Sequence, residues 1–320
     1  MSTQQHPLGS GFTAASTAAD VVAGVDLSGR TVIVTAGHVG LGLETTRALA
    51  SAGASVVVGA RRPDAAVEAL RGITGARVEQ LDLTDPASVE AFATRYLETG
   101  RPLHILANNA GIMGGDLVRD ARGYESQFAT NHLGHFQLTR ALLPALRAAN
   151  GARVVNVSSR GHLISDIRWD DPHFETGEYD GMVAYGQSKT ANVLFAVELD
   201  RRWAADGIRG YALHPGGIAG TNLAPWLTEE DLRTRGLVDE QGRPIIDPDR
   251  DQKTPQQGAA TTVFAATSPL LTDIGGVYLQ NSDIAPLDTP PGTPPAMASY
   301  AVDPRSAECL WDLSEKLLAT

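Results

Sequence analysis

The chain has 320 residues, of which 42% are apolar, with a formal net charge of −11 and a single cysteine, Cys309. This length and composition suit a soluble α/β protein with a full core, whereas the acidic balance argues against a nucleic-acid-binding protein, which needs a basic surface to neutralise phosphates. A single cysteine excludes a disulfide framework within the chain and a zinc site built from cysteines.

The amino-terminal segment comes first in chain order. Residues 1–27 are rich in Ser, Thr, Ala and Gly, and we expect them to form a loosely ordered arm. They have neither the basic start nor the apolar core of a secretory signal. No apolar run in the sequence approaches the roughly 20 residues that span a bilayer, so we expect a cytoplasmic protein.

From residue 28 onward, short apolar runs alternate with longer helical patterns. The predicted strands are 31–36, 55–60, 77–83, 103–110, 152–159, 209–215 and 275–280, and the predicted helices are 42–52, 86–98, 124–148, 185–205 and 255–267. Most of the apolar runs lack strict alternation, as in strands that are covered on both faces of a parallel sheet. The pattern predicts an α/β fold, a Rossmann-type doubly wound parallel sheet of seven strands, in a single catalytic domain over residues 28–320.

Two longer segments interrupt this alternation, at 160–184 and 217–253. Each follows a predicted strand and therefore lies at the carboxyl edge of the sheet, where open α/β folds bind their ligands. We expect both segments to be substrate insertions.

The stretch "TVIVTAGHVGLGLETTRALA" predicts a strand, a turn with Gly37, Gly40 and Gly42, and a helix. Such a turn directs several N–H groups and the positive end of the helix dipole at one point, which suits a pyrophosphate. A tight turn that serves packing alone is the alternative. The second predicted strand ends in "GARRP" without an acidic residue, and Arg61 and Arg62 suit a 2′-phosphate better than a free ribose hydroxyl.

The segment "VAYGQSK" places Tyr185 and Lys189 four residues apart in a helical pattern, so their side chains share one face. A free tyrosine is almost fully protonated at neutral pH. A nearby ammonium group stabilises the phenolate, so we expect Lys189 to lower the pKa of Tyr185 toward the working range of an acid–base catalyst.

Further motifs accompany this pair in a fixed order. They are "TAGHVGLG" (35–42), "LDLTD" with Asp82, "NNAG" (108–111), "ATNHLGHF" with Asn131, "VVNVSS", "YGQSK" (185–189) and "HPGGIAGTNL" (214–223). Together they resemble the short-chain dehydrogenase/reductase family over about residues 28–282, and they are most similar to its retinol dehydrogenase and protochlorophyllide reductase-like branch. The chain departs from the family pattern at Ala36, where the first glycine of the motif would stand.

The resemblance implies a catalytic set of Asn131, Ser159, Tyr185 and Lys189. In such a set Ser159 binds the substrate oxygen, Tyr185 exchanges the proton, Lys189 also holds the nicotinamide ribose, and the backbone of Asn131 holds a relay water. The implied cofactor contacts are Thr35, Gly37, His38, Gly40, Leu41, Arg61, Arg62, Asp82, Leu83, Asn109, Ala110, Gly111, Tyr185, Lys189, Pro215, Gly216, Ile218 and Thr221.

The function implied is an NADP(H)-dependent oxidoreductase that interconverts a lipophilic or bulky carbonyl and its alcohol, with NAD(H) as the less preferred cofactor. Nucleotide-sugar epimerase or dehydratase chemistry on the same fold, and a non-catalytic dinucleotide sensor, are the alternatives. Family members associate as homodimers or homotetramers through helices matching 124–148 and 185–205. His132 and His135 lack a third ligand in the sequence, and we expect no metal site. If the turn needs a positive φ at Ala36, that residue costs on the order of 1 kcal/mol relative to glycine.

Overall fold

The computed structural model describes residues 5–218, 221, 223–287 and 295–319. Within this part of the chain, eight strands form one sheet. The strands are β1 (Thr31–Thr35), β2 (Ser55–Ala60), β3 (Ala76–Gln80), β4 (Ile105–Asn108), β5 (Ala152–Val157), β6 (Ile208–His214), β7 (Val277–Gln280) and β8 (Asp283–Ile284). Their order across the sheet is β3-β2-β1-β4-β5-β6-β7-β8. The chain adds strands in one direction from β1 to β3 and in the other direction from β4 onward, so the order switches between β1 and β4.

The first seven strands run parallel to one another, which confirms the predicted Rossmann-type fold. The eighth strand, β8, was not predicted, and it pairs antiparallel with β7 through two residue pairs. A two-residue turn of Asn281 and Ser282, with φ values of 53° and 57°, joins β7 to β8. Both φ values are positive, as in a tight hairpin turn, but the sequence lacks the glycine that normally marks one.

Helices fill the connections between the strands. They are α1 (Ala18–Val22), α2 (Gly40–Ser51), α3 (Pro63–Ala69), α4 (Pro86–Glu98), α5 (Ser126–Phe128), α6 (Gly134–Ala141), α7 (Leu143–Ala148), α8 (Gly181–Trp203), α9 (Glu229–Thr234), α10 (Pro255–Thr267) and α11 (Pro304–Leu318). The bounds predicted for α4 and α10 are confirmed. The helix predicted at 185–205 begins four residues earlier, because Asp180 caps it by accepting from the N–H groups of Met182 and Val183.

The helix predicted at 124–148 is the main correction among the helices. In the structure it is divided into α5, a wide π-helical turn over Ala129–Leu133, α6 and α7. Pro144, in the first turn of α7, has no N–H to continue the hydrogen bonding of α6. The π-helical turn carries Asn131.

The apolar core lies on both faces of the sheet. Helices α1, α2 and α10 cover one face, and α4, α6, α7 and α8 cover the other. Helix α11 packs outside α6 and α8, where the Trp311 ring lies edge-on to Phe136 and Trp203. The described carboxyl-terminal helix thus covers part of the surface through which relatives were expected to associate.

The amino-terminal arm differs from the loosely ordered segment that its composition suggested. Gln5 is buried, and its side chain donates to the carbonyl O of Tyr278 at 2.8 Å and accepts from the Tyr278 N–H at 3.0 Å. Further along the arm, Ala18, Val21 and Val22 are buried in the core beside α10. These contacts hold the described part of the arm on the sheet, because they bury apolar surface and pair with backbone polar groups of β7.

Two properties concern the described residues as a whole. No helix among them is long and apolar enough to cross a membrane. No three His, Cys, Asp or Glu side chains among them come together as a metal site would require.

Candidate active site

The turn between β1 and α2 is tightly packed and open to a cavity. Ala36 has a φ of 51°, and Gly40 has the same value. A Cβ on Gly37 would lie 2.6 Å from Oγ1 of Thr46, and one on Gly42 would lie 2.4 Å from the carbonyl O of Ala36. Within the described chain, no side chain caps the start of α2, so its first N–H groups remain available to an anion.

The positive φ at Ala36 fulfils the condition stated from the sequence, so this alanine carries the cost of a left-handed backbone. Gly37 was expected to contact a cofactor. A Cβ on Gly37 would lie 3.0 Å from the side chains of Val34 and of Val58, so the turn packs closely here, and the cofactor contact stays a prediction.

The cleft beside this turn holds two cavities. One of them, of about 740 Å³, extends toward the ends of β2 and β3. His38, Arg61, Arg62, Asp82 and Leu83 lie in its wall, as expected. The buried Nδ1 atom of His38 has no hydrogen-bond partner among the described residues. Burial, and the charge of Arg62, lower the pKa of His38. Two arginines therefore lie in the wall of this cavity, whereas the unpaired Nδ1 of His38 is buried.

The end of β4 is fixed to the end of β1 by one threonine. The Thr35 hydroxyl oxygen accepts from the N–H groups of Asn109 and Ala110, each at 2.9 Å, and the Asn109 side chain donates to the Thr35 carbonyl O at 3.0 Å. A Cβ on the following Gly111 would lie 3.4 Å from Nζ of Lys189. The loop after β4 thus reaches the predicted catalytic lysine.

The other cavity, of about 640 Å³, shares Ala110 and Gly111 of this loop with the first and contains the catalytic candidates. Ser159, Tyr185 and Lys189 line it. Its wall also includes the remaining predicted cofactor residues, Leu41, Pro215, Gly216, Ile218 and Thr221. The structure therefore brings together groups that are far apart in the sequence.

Ser159 is the serine that faces Tyr185. Its hydroxyl oxygen accepts from the N–H of Gly161 at 3.0 Å, and its side chain lies close enough to Tyr185 to lower the pKa of that phenol. The neighbouring Ser158 is buried, and its hydroxyl donates to the carbonyl O of Lys189 at 2.7 Å. These contacts favour Ser159 as the residue that acts on a substrate, as predicted.

The pKa values of the tyrosine and the lysine differ from the expectation. Burial raises the pKa of Tyr185 to about 12, and the hydrogen bond from Ser159 lowers it in part. Burial lowers the pKa of Lys189 to about 7. The ammonium group lies 5.5 Å from the centre of the Tyr185 ring and donates to the carbonyl O of Val157 at 3.0 Å. The expected lowering by Lys189 is therefore wrong for the protein without ligands, because burial dominates.

Asn131 lies behind the cavity, on the π-helical turn. Its side chain donates to the carbonyl O of Ile112 and accepts from the Ile112 N–H, each at 2.9 Å, and it also donates to the Ser188 hydroxyl. Nδ1 of His135 lies 3.0 Å from the carbonyl O of Asn131, and Nε2 of His135 lies 2.9 Å from Oγ1 of Thr35. The predicted relay water would share this carbonyl with His135.

Sequence reasoning missed His135, which it considered as a metal ligand without a third partner. Burial lowers the pKa of His135 to about 4, so the ring is neutral. A carbonyl oxygen only accepts, so Nδ1 carries the proton and Nε2 accepts from Thr35. The spacing of four residues from Asn131 on a helix was the available signal, but the contact with Thr35 depends on the fold.

A second histidine closes the cavity at the end of β6. Nε2 of His214 lies 2.7 Å from the carboxylate of Asp251, and Nδ1 accepts from the N–H of Arg160 at 3.2 Å. Burial lowers the pKa of His214, and the bond to Asp251 opposes this shift. The pair fixes the end of the 217–253 insertion to the turn that carries Ser159.

The 217–253 insertion supplies an apolar wall and a crossing over the cleft. Leucines of the insertion line the cavity together with Met113; they are Leu223, Leu227, Leu232 and Leu237. Nε1 of Trp226 donates to the carbonyl O of Met113 at 2.6 Å, and the Met113 N–H donates to the carbonyl O of Leu223 at 3.0 Å. A Cβ on Gly114 would lie 2.5 Å from the Trp226 ring.

The 160–184 insertion contributes less to the cavities. Trp169 is partly exposed, and Phe174 is buried beneath the Arg168 guanidinium, which lies 4.4 Å from the centre of its ring. Only the first residue of this segment, Arg160, appears in the wall of the catalytic cavity. The expectation of a substrate insertion thus has more support for residues 217–253.

Known proteins share this sequence pattern. Residues 30–170 match the family model described as short chain dehydrogenase. A "Probable oxidoreductase" of Streptomyces antibioticus is 47% identical, with 90% of this chain and 97% of the relative covered. The "Short-chain dehydrogenase/reductase prx1" of Penicillium rubens is 37% identical over 89% and 84% of the two chains. "Retinol dehydrogenase 12" of Mus musculus is 36% identical over 92% and 88%.

Solved structures share the fold as well. An uncharacterised protein from Mycobacterium paratuberculosis superposes with a TM-score of 0.72 at 34% identity, covering 96% of this chain and 98% of that one. The RhlG/NADP active-site complex of Pseudomonas aeruginosa superposes with a TM-score of 0.62 at 25% identity, covering 80% and 95%.

Proposed function

Since the chain belongs to the short-chain dehydrogenase/reductase family, in its retinol dehydrogenase-like branch, and is an oxidoreductase, we propose that it uses NADP(H) to interconvert a lipophilic or bulky aldehyde or ketone and its alcohol. One observation carries this proposal. Ser159, Tyr185 and Lys189 converge in a cavity that is also lined by leucines from the 217–253 insertion.

The apolar wall supports a lipophilic substrate. Leu227, Leu232 and Leu237 line the catalytic cavity, and apolar side chains gain free energy when they cover apolar ligand surface. A relative at 36% identity is named for retinol, a long apolar alcohol. We therefore expect activity to increase with the apolar area of the substrate.

The catalytic roles follow from the chemistry of carbonyl reduction. A developing alkoxide needs positioned hydrogen-bond donors and one proton. The hydroxyl of Ser159 would donate to the substrate oxygen, and the phenol of Tyr185 would supply the proton. Lys189, with a pKa of about 7, would place its charge beneath the Tyr185 ring and favour the phenolate left behind.

The residues of the cleft fit a nicotinamide dinucleotide. The uncapped start of α2 suits a pyrophosphate, and Arg61 and Arg62 in the wall of the neighbouring cavity suit a 2′-phosphate. The dinucleotide supplies or accepts the hydride when it is bound. Asn109 and Gly111, in the loop after β4, would lie beside its adenosine ribose. The structural relative RhlG forms an active-site complex with NADP, which supports the same preference.

A steady-state assay tests the function. Purified protein is assayed with NADPH and with NADH against aldehydes and ketones of increasing chain length, beside the matched variant Tyr185→Phe. We expect turnover with NADPH that rises with chain length and falls by at least about 100-fold in the variant, because a positioned proton donor contributes that much. Binding of NADPH without turnover of any substrate would contradict the proposal.

The two alternative functions make different predictions in the same assay. A dinucleotide sensor would bind NADPH and leave every carbonyl unchanged. An epimerase or dehydratase would act on nucleotide sugars without net consumption of NADPH. We expect the enzyme to act in the cytoplasm.

A further inference from the structure

Another buried histidine, His162, lies directly behind the predicted catalytic serine. The turn of Arg160–Leu163 follows Ser159, and His162 folds back so that its Nδ1 lies 2.6 Å from the carbonyl O of Ser159. On the other side of the ring, Nε2 lies 3.2 Å from the backbone N of Ala298. The histidine is fully buried, so both contacts are sheltered from water.

The two contacts determine the tautomer of His162. The Ser159 carbonyl only accepts and the Ala298 N–H only donates, so Nδ1 carries the proton and Nε2 is the acceptor. Burial lowers the pKa of His162 to about 4, the bond to Ser159 opposes this shift, and the charges of His214 and Arg160 act with burial. The Tyr278 ring packs at 4.8 Å and stays protonated, since burial raises its pKa as well. The neutral ring therefore keeps both bonds at neutral pH.

The Ser159 carbonyl belongs to the peptide that starts the catalytic turn. Two residues later, the Gly161 N–H donates to the Ser159 hydroxyl oxygen at 3.0 Å. The same glycine touches the Tyr185 ring so closely that a Cβ would lie 2.6 Å from Cε1. Rotation of the Ser159 peptide would therefore move both the hydroxyl and the surface on which Tyr185 rests.

The carboxyl-terminal segment 297–302 provides the other end of this connection. Met297 and Ala301 are buried against α8 and β7. The Tyr300 hydroxyl donates to the carbonyl O of His162 at 2.6 Å. The turn is thus bound to this segment twice, once through the ring of His162 and once through its backbone.

We propose that His162 is a positioning residue for the reaction, which holds the Ser159 peptide against the carboxyl-terminal segment and thereby keeps the Ser159 hydroxyl directed at Tyr185. This inference rests on the proposed function. It adds a residue that does not touch the cavity, and it gives the segment 297–302 a part in the geometry of the active site.

The side-chain amides of Asn and Gln separate the two bonds of His162. In His162→Asn the amide N–H takes the position of Nδ1 and can still donate to the Ser159 carbonyl. In His162→Gln the amide reaches the position of Nε2, and the Ser159 carbonyl loses its donor. Tyr300→Phe is the matched control, since it removes a bond of the same turn that does not pass through the Ser159 peptide.

We expect His162→Gln to lower kcat by about 10- to 100-fold, as a misplaced catalytic group does, with the KM for NADPH nearly unchanged. His162→Asn should regain most of this loss, and Tyr300→Phe should stay close to the parent enzyme. The pH at which kcat reports ionisation of Tyr185 should rise in His162→Gln, because the Ser159 hydrogen bond lowers that pKa. A change in folding alone would not move this pH.

Three outcomes would overturn the inference. Parent-like kcat in His162→Gln would show that the bond to Ser159 has no catalytic effect. If all three variants lost kcat equally, and their melting temperatures fell to match, the role of His162 would be purely structural. Absence of turnover in the parent enzyme would overturn the proposed function and this inference together, whereas an active parent with unaffected variants would overturn only the inference.

Discussion

The contact between Gly161 and Tyr185 gives the sharpest test of how closely the site is packed. A Cβ on Gly161 would lie 2.6 Å from Cε1 and 2.8 Å from Cδ1 of the Tyr185 ring, whereas ordinary contacts begin near 3.4 Å. In Gly161→Ala the ring or the turn must therefore shift by about 0.8 Å, the difference between these two distances. A displacement of about 1 Å in a catalytic group can cost about 100-fold in rate.

We therefore expect Gly161→Ala to lower kcat by about 100-fold, with the KM for NADPH changed by less than about three-fold. The assay is steady-state reduction with NADPH, accompanied by thermal unfolding. Gly210→Ala is the matched control, because its Cβ would lie equally close, 2.6 Å, to the carbonyl O of Ala196, which is eleven residues beyond Tyr185 on α8. It should lower the melting temperature while the folded enzyme keeps its kcat. A Gly161→Ala enzyme with kcat within a factor of about two of the parent would refute the argument that this packing fixes the ring.

Three further predictions concern the cofactor and the buried charge. Ala36→Gly should raise the free energy of unfolding, measured by chemical denaturation, by up to about 1 kcal/mol, because the φ of 51° favours glycine. Titration of this variant with NADPH should show unchanged or tighter binding. Arg61→Ala and Arg62→Ala should each raise the KM for NADPH by about 10-fold or more, with little effect on NADH, because a charge-assisted bond to the extra phosphate is lost; equal effects on both cofactors would contradict the assignment. The pKa of Lys189 is about 7 in the folded protein, against an ordinary 10.5. Between these pH values the unfolded chain binds more protons than the folded one, so the free energy of unfolding without cofactor should rise from pH 7 to pH 9. Chemical denaturation of Lys189→Met should show a smaller rise.

Much of the fold could be predicted because its signals are local. The apolar runs of the seven parallel strands and the caps of α4 and α10 lie within short windows of sequence, and Tyr185 and Lys189 share a helix face. The hairpin at Asn281 and Ser282 has no such signal, since its positive φ values occur without glycine.

The parts that escaped prediction depend on contacts between distant segments. His162 meets Ala298, 136 residues away in sequence, and His135 meets Thr35, 100 residues away. The pKa of Tyr185 depends on how deeply the fold buries the phenol, which spacing to Lys189 does not reveal. Sequence motifs predicted the candidate reacting groups, whereas the contacts that orient these groups became visible only in three dimensions.

The crossing between Met113 and the 217–253 insertion has a consequence for the order of events in turnover. The hydrogen bonds to Leu223 and Trp226 join the two sides of the cleft, and the two cavities share Met113, Leu223 and Pro225 in their walls. A ligand long enough to occupy both cavities would lie against this crossing, so we expect its entry and its departure to require these bonds to open. We therefore expect compulsory-order kinetics, in which the long ligand arrives first and departs last while the short one exchanges in between.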